Sequence, residues 1–272
     1  MRINTNISAI NAQRNLFETN RSVEDSMRKL SSGLRIVRAG DDASGMVIAN
    51  RLRANTRALG MAVKNAEQAH ARLSIAEGST NTIQQILERQ KELVTQAWSA
   101  NYNGSEGSRQ ALHDEFVQLS EEIDRIVATT TYEGGAIFGA TAQRYQVSAS
   151  DDVADNLSFT VDLQNASIAG GLWTDVAAGG DPAVDLADID DAINEVSSTL
   201  STIGAAQNRL DFTISNLKVA VQNQEAAEST IRDLDMAEEM TRFTKNSILQ
   251  QAGTAMLAQA NQSAQGILQL LR

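Results

Sequence analysis

The stretch NSILQQAGTAMLAQANQSAQGILQLL, Asn246 to Leu271, holds no charged residue, in a chain of which 21% is charged. Its apolar residues Leu249, Ala252, Met256, Ala260, Ala264, Ile267 and Leu271 recur at mostly helical spacing. Amides fill the gaps: Gln250, Gln251, Gln259, Asn261, Gln262, Gln265 and Gln269. A helix in water carries Lys and Glu on its outer face, and this one has neither. At ~1.5 Å per residue it would be ~39 Å long, enough to cross a bilayer. The amides argue against that, because each would need a partner in hydrocarbon. A helix enclosed by protein fits better: amides pair across helix contacts where a charge would have to be desolvated.

The opposite end of the chain matches it. Ile3 to Gln13 is also uncharged and opens a second periodic run of Ile3, Ile7, Ile10, Phe17, Met27, Leu30 and Leu34, with Val23 beside it. Two amphipathic ends can pair, yet two helices cannot cover four faces. The remaining surface is therefore expected to meet other copies. The residues expected to carry this self-assembly are Ile3, Ile7, Ile10, Leu30, Leu34, Leu249, Met256, Leu257, Ile267 and Leu271.

Composition narrows the classes. Aromatic residues make up 4% of 272, and Pro182 is the one proline. Long helices suit this better than a globular enzyme core. A formal charge of −11 lacks the basic footprint of nucleic-acid binding. The absence of cysteine rules out disulfides and thiolate metal sites. No apolar signal-peptide core opens the chain, so export would not use a conventional cleaved signal.

Between the ends the pattern predicts four more elements. A first helix over about Asn6–Leu34 stops before Ala39-Gly40-Asp41-Asp42-Ala43-Ser44-Gly45, where Asp41 and Asp42 are expected to cap the next helix. That second helix, Ser44 to Ser99, has the seam Ala49, Leu52, Thr56, Leu59, Val63, Ala66, His70, Leu73, Ala76, Thr80, Ile83, Leu87, Gln90, Val94 and Ala97. Two steps of three meet at Leu73–Ala76 and read as a slip in the heptad. Asn101 to Ser105 is a turn, and a third helix follows with Leu112, Phe116, Leu119, Ile123 and Ile126 on one stripe. Thr129 to Thr131 and Gly134-Gly135 end the helical pattern. Tyr145–Ser148 and Leu157–Leu163 alternate at period two about Asp151–Asn156, which predicts a β-hairpin. Gly170-Gly171 and Gly179–Pro182 read as a loose surface segment.

A fourth helix starts near Val184. Asp185, Asp188, Asp190 and Asp191 sit where its dipole favours negative charge. Its seam runs Ile189, Ile193, Val196, Leu200, Ile203, Gln207, Leu210, Ile214, Leu217 and Val221, and Asp233 with Asp235 marks a break before the last helix. The expected fold is mainly α: an elongated antiparallel, coiled-coil-like helical rod with paired terminal helices. Residues 1–43 and 233–272 form one domain, and 44–232 the rod domain, with a hairpin and loop region at about 136–183 at its tip.

Catalytic chemistry finds no foothold. No nucleophile elbow, zinc motif or phosphate loop is present. His70 lies on a helix seam and reads as packed, while His113 beside Leu112 reads as solvent-facing. No catalytic, metal-binding or cofactor-binding residue is assigned, and no cofactor is expected.

Several longer motifs resemble bacterial flagellin. At the start these are Ile3-Asn4-Thr5-Asn6, Leu30-Ser31-Ser32-Gly33-Leu34-Arg35-Ile36 and Asp41-Asp42-Ala43-Ser44-Gly45; internally, Glu122-Ile123-Asp124-Arg125-Ile126. At the end they are Ile248-Leu249-Gln250-Gln251-Ala252-Gly253-Thr254, Leu257-Ala258-Gln259-Ala260-Asn261-Gln262 and Leu270-Leu271-Arg272. The resemblance covers nearly the whole chain except about Ala140 to Asp185, where it implies a short form without a large outer domain. It implies a filament subunit exported unfolded through the flagellar type III apparatus and polymerised beneath a cap, its terminal helices lining the inner tube. Terminal helices are then expected to order on joining the filament. Implied partners are the chain itself, the cap, hook-junction proteins and an export chaperone, with no nucleic acid and no membrane insertion. Arg89, Leu93 and Glu115 match positions through which many flagellins meet Toll-like receptor 5, although Gln90 and Leu119 depart from strongly recognised members. The rival readings are a hook-filament junction protein, which shares similar termini, and an adhesin or enzyme displayed on a filament.

Overall fold

The computed structural model describes residues 6–99, 106–149, 156–163 and 182–270. The fold is mainly α. Helices α1 (Ile7–Ser32), α2 (Ala43–Ala97) and α3 (Glu106–Thr129) are followed by strands β1 (Thr131–Tyr132), β2 (Gly135–Ala136), β3 (Gly139–Gln146) and β4 (Asn156–Val161), then by α4 (Pro182–Arg232) and α5 (Met236–Leu270). The expected turn at Asn101–Ser105, the tip of the hairpin and the glycine-rich segment before Pro182 lie outside the described residues. The chain divides into two compact units, Met1–Thr56 with Gln222–Arg272, and Arg57–Val221.

The unit of residues 57–221 holds a continuous core. Along α2 the buried residues Ala62, Ala66, Ala69, Leu73, Ala76, Thr80, Ile83, Leu87, Gln90, Val94 and Ala97 alternate in steps of four and three. No slip occurs at Leu73–Ala76. Ala69 takes the inward position, and His70 turns half outward, its Nε2 3.5 Å from Asp211 Oδ1 of α4. A small Ala lets two backbones approach more closely than a ring would. On α4 every residue of the expected seam from Ile189 to Val221 is buried or half-buried. Glu67 meets Lys218 at 3.0 Å, Glu77 accepts from Gln207 at 2.8 Å, and Asp190 meets Lys91 at 2.5 Å. These three contacts fix an antiparallel register. The two ion pairs, Glu67–Lys218 and Lys91–Asp190, are open to solvent and add at most ~1 kcal/mol each.

On α3 the inward stripe is Phe116, Ser120 and Ile123, with Leu112, Leu119 and Ile126 half-buried on its flank. His113, three residues before Phe116, falls on that stripe and is half-buried, not solvent-facing. Gln90 Nε2 donates to Ser120 Oγ at 2.8 Å and to Phe116 O at 3.3 Å, a buried polar join between α2 and α3.

The hairpin sits where the alternation put it, with an earlier start. β3 pairs with β4 antiparallel, Tyr145 opposite Leu157 and Gln143 opposite Phe159, with an irregularity between Gly139 and Gln143. Phe159, Val161 and Leu163 point into the core. Val147 and Ser148, expected in the strand, follow its end. A second hairpin, which no alternation in the sequence marks, joins β1 and β2 through Glu133 (φ 51°) and Gly134 (φ 79°). Both residues in the left-handed region make this the tight two-residue turn that matches strand twist. Arg72 of α2 donates to Ala136 O at 2.6 Å and Asn65 to Gln146 O at 3.0 Å, so α2 side chains satisfy strand carbonyls.

In the other unit, α1 and α5 pack against each other antiparallel. Asn6 caps α1, accepting from Ala9 N at 3.1 Å, while its Nδ2 donates to Ala260 O at 2.9 Å. Gly33 ends α1 at φ 69°, its N–H on Lys29 O at 2.9 Å.

Candidate assembly surface

Each terminal helix carries two stripes. The inward stripe of α1 is Ala9, Ala12, Leu16, Thr19, Val23, Ser26 and Leu30, alternating three and four. That of α5 is Glu239, Phe243, Asn246, Gln250, Gly253, Leu257 and Ala260, alternating four and three. Most of these residues are small, polar or of middle size. At Gly253 an added Cβ would stand 3.3 Å from Leu16 Cδ1, a tight contact that the Leu16 side chain would have to ease. The outward stripes hold the larger side chains: Ile7, Ile10, Phe17 and Met27 on α1, and Met236, Met240, Ile248, Leu249 and Met256 on α5 are all exposed. Met240, Thr241, Thr244, Lys245, Ile248 and Leu249 line an open concavity of about 550 Å³.

The residues nominated for assembly therefore fall in two groups. Ile7, Ile10, Leu249 and Met256 face solvent, while Leu30, Leu34 and Leu257 are half-buried within the unit. Ile3 and Leu271 lie outside the described residues, and of Ile267 only the helical backbone is described. The periodic runs do not say which residues pair within the chain and which face outward; the structure turns Phe17, Met27, Leu249 and Met256 outward. Ala9, Ala12, Ser26 and Gly253 share the contact with Leu16, Val23, Leu30, Phe243 and Leu257, and the remaining large side chains occupy the free faces.

Both helix breaks in this unit are tied together. Leu34 bridges Asp233 antiparallel. Arg35 N donates to Arg232 O at 2.7 Å, Leu234 N to Gly33 O at 3.1 Å, and the Arg35 guanidinium to Ile231 O at 2.5 Å. Of the two acids expected to cap α2, Asp42 does so, its Oδ1 accepting from Gly45 N at 2.8 Å. Asp41 instead accepts from Arg38 N at 2.9 Å and Val37 N at 3.1 Å, closing the loop before the helix. The Arg38 N–H holds the Asp41 carboxyl below its ordinary 3.8, helped by the Val37 N–H and the charges of Lys29 and Arg28. A Cβ at Gly45 would run into the Asp42 carboxylate that caps the helix and stand 2.8 Å from Ile36 Cδ1, so the cap or the buried Ile36 would have to shift. Asp235 caps α5, accepting from Ala237 N at 2.9 Å and Glu238 N at 3.1 Å.

In the unit of residues 57–221, Arg89 bonds both Glu92 and Glu115 at 3.0 Å, and the Glu92 bond leads in raising its pKa. Leu93, nominated with Arg89 and Glu115, has no exposed surface. Among the described residues no cluster of three metal-ligating side chains occurs, and no helix is long and apolar enough to cross a membrane.

Residues 3–143 match the family model of the bacterial flagellin N-terminal helical region, and residues 186–271 that of the C-terminal helical region. The chain is 44% identical over 277 residues to a flagellin of Halalkalibacterium halodurans and 41% identical over 304 residues to a flagellin of Bacillus subtilis. It is 38% identical over 290 residues to a flagellar filament 33 kDa core protein of Treponema phagedenis. All three alignments cover 100% of both chains. A crystal structure of Bacillus cereus flagellin aligns with a TM-score of 0.48 at 25% identity, over 57% of this chain and 88% of that one.

Proposed function

The chain belongs to the bacterial flagellin family, and on that premise we infer that its work is structural: copies polymerise into the flagellar filament outside the cell and serve motility. The observation that carries the reading is the pair α1–α5, whose seam is mostly small or polar while Ile7, Ile10, Phe17, Ile248, Leu249 and Met256 stand in water. Apolar surface of this kind gains ~25 cal/mol per Å² when covered, and sister copies supply the cover. Residues 1–43 and 233–272 serve as the inner-tube domain and 44–232 as a second, helical domain. No catalysis is part of this reading.

Few residues of α1 and α5 are buried in the single chain: Val23, Ser26 and Glu239 among those described. Such a pair is marginal alone, and its order depends on neighbours. Amide exchange in α1 and α5 is expected to be fast in monomer and slow in filament, while α2 between Ala62 and Ala97 is protected in both. The same open faces suit an export chaperone before assembly, and the cap and hook-junction proteins at the ends of the polymer.

Deleting Ala260–Arg272 tests the function directly. Long uniform tubes from the full chain, and none from the truncated chain with its remaining helices intact by circular dichroism, are the expected result in electron microscopy. Normal tubes from the truncated chain overturn it. Short rings from the full chain favour the junction protein.

A contact with Toll-like receptor 5 rests on Arg89 and Glu115, because Leu93 is enclosed in the core. A reporter response to monomer that Arg89→Ala abolishes supports it, and silence from monomer ends it.

A further inference from the structure

We infer that the thioethers of Met27, Met236, Met240 and Met256 form a modification site, open to peroxide in the free chain, whose oxidation to sulfoxide keeps that copy out of the filament. This rests on the filament reading above and adds a control to its assembly face.

Methionine is the chain's one source of sulfur, because it has seven Met and no Cys. Met ordinarily ranks among the buried residues. Here Met27 is 55% exposed, Met236 48%, Met240 48% and Met256 64%. They border the α1–α5 seam. Met27 follows buried Ser26, Met240 follows buried Glu239, and Met256 precedes half-buried Leu257. The pairings of Asn6 with Ala260, Leu16 with Gly253 and Leu34 with Asp233 place Met27 level with Met240. Met240 also lines the concavity with Ile248 and Leu249. An unbranched, polarisable side chain adapts to a neighbour's irregular surface, which suits a contact repeated between copies.

The chemistry balances with hydrogen peroxide as oxidant. A sulfur lone pair attacks one peroxide oxygen, the O–O bond breaks, and the second oxygen leaves as water after proton transfer. Sulfur loses two electrons and peroxide gains them. The product is a polar, chiral sulfoxide on a formerly apolar side chain. Met256 lies in the uncharged stretch Asn246 to Leu271, whereas Met240 shares its concavity with Lys245. Burying a sulfoxide against a second copy strips its oxygen of water, and the oxygen then needs a donor that a face fitted to thioethers was not built to supply. Covered by neighbours, the same thioethers escape attack, so the modification acts before assembly.

The test uses the full chain. Reduced chain is polymerised first; its failure to form filaments overturns the filament reading. Monomer is then treated with hydrogen peroxide, and peptide mass spectrometry locates the gain of about 16 Da per oxidised methionine. The critical concentration is expected to rise by about tenfold or more, and methionine sulfoxide reductases are expected to restore it. The variant Met27→Leu/Met236→Leu/Met240→Leu/Met256→Leu, which keeps Met46 and Met61, is expected to assemble equally with and without peroxide. If that variant does not assemble, reductase rescue of the wild-type chain decides. Oxidised monomer that polymerises at the reduced chain's concentration overturns the inference. So does loss of assembly that reductases do not reverse, or equal oxidation of the four residues in filament and monomer.

Discussion

The two compact units treat the same heptad pattern in opposite ways. In α2 from Ala62 to Ala97, every inward position is closed by the chain's own α3, α4 and hairpins, with Ile83, Leu87 and Gln90 at no exposure. In α1 and α5 the periodicity is as regular, yet the large side chains sit on the outside. Periodicity alone therefore tells that a helix has an apolar stripe and not who covers it. The charge pattern separates the cases: 57–221 carries 10 Lys and Arg against 23 Asp and Glu, while 246–271 carries none.

The contrast can be broken most sharply by one pair of substitutions. Ile83→Ala opens a cavity in the closed core and is expected to cost 2–5 kcal/mol, about the range for a buried aliphatic, read as a lowered melting temperature of the monomer. Ile248→Ala should leave the monomer's stability within ~0.5 kcal/mol of wild type and impair polymerisation. Equal effects on monomer stability would erase the distinction between the units. Next in size is Ser120→Ala, which strips the shorter of two acceptors from Gln90 Nε2. A loss of about 1 kcal/mol is expected by chemical denaturation.

Much of the closed unit was legible beforehand. Every seam position from Ile189 to Val221 is covered, because both flanking helices belong to the same chain and large aliphatics mark the contact. Legibility failed where small residues form the contact. Ala69 lost to His70 in the reading of α2, and Ser120 to Leu119 in α3. On α1 the weight of Ile7, Ile10 and Phe17 hid the Ala9–Ser26 stripe that packs. The β1–β2 hairpin was missed because two-residue strands carry no alternation, although Glu133-Gly134 gave a turn signal. Self-assembly is read from the missing charges at the two ends, a signal that does not depend on which way each residue faces.

The smallest expected effect concerns the loop before α2. The folded-state pKa of Asp41 lies below 3.8, so its contribution is complete above that value and is lost as pH falls through the folded pKa. Asp41→Asn should therefore be less stable than wild type near neutral pH, with the gap closing below 3.8. A gap that stays constant down to strong acid would show that the carboxylate's charge is not what closes the loop.

The bridge between Leu34 and Asp233 has a mechanical consequence. Its antiparallel backbone bonds lie across the direction in which the two strands would slide, so axial tension loads them in shear and they must yield together. Tension along the two strands is thus carried by peptide groups, with the Arg35 guanidinium on Ile231 O as a further tether. Weakening that tether should show first under force, as a shorter rupture extension in single-molecule pulling, while the resting fold is scarcely altered.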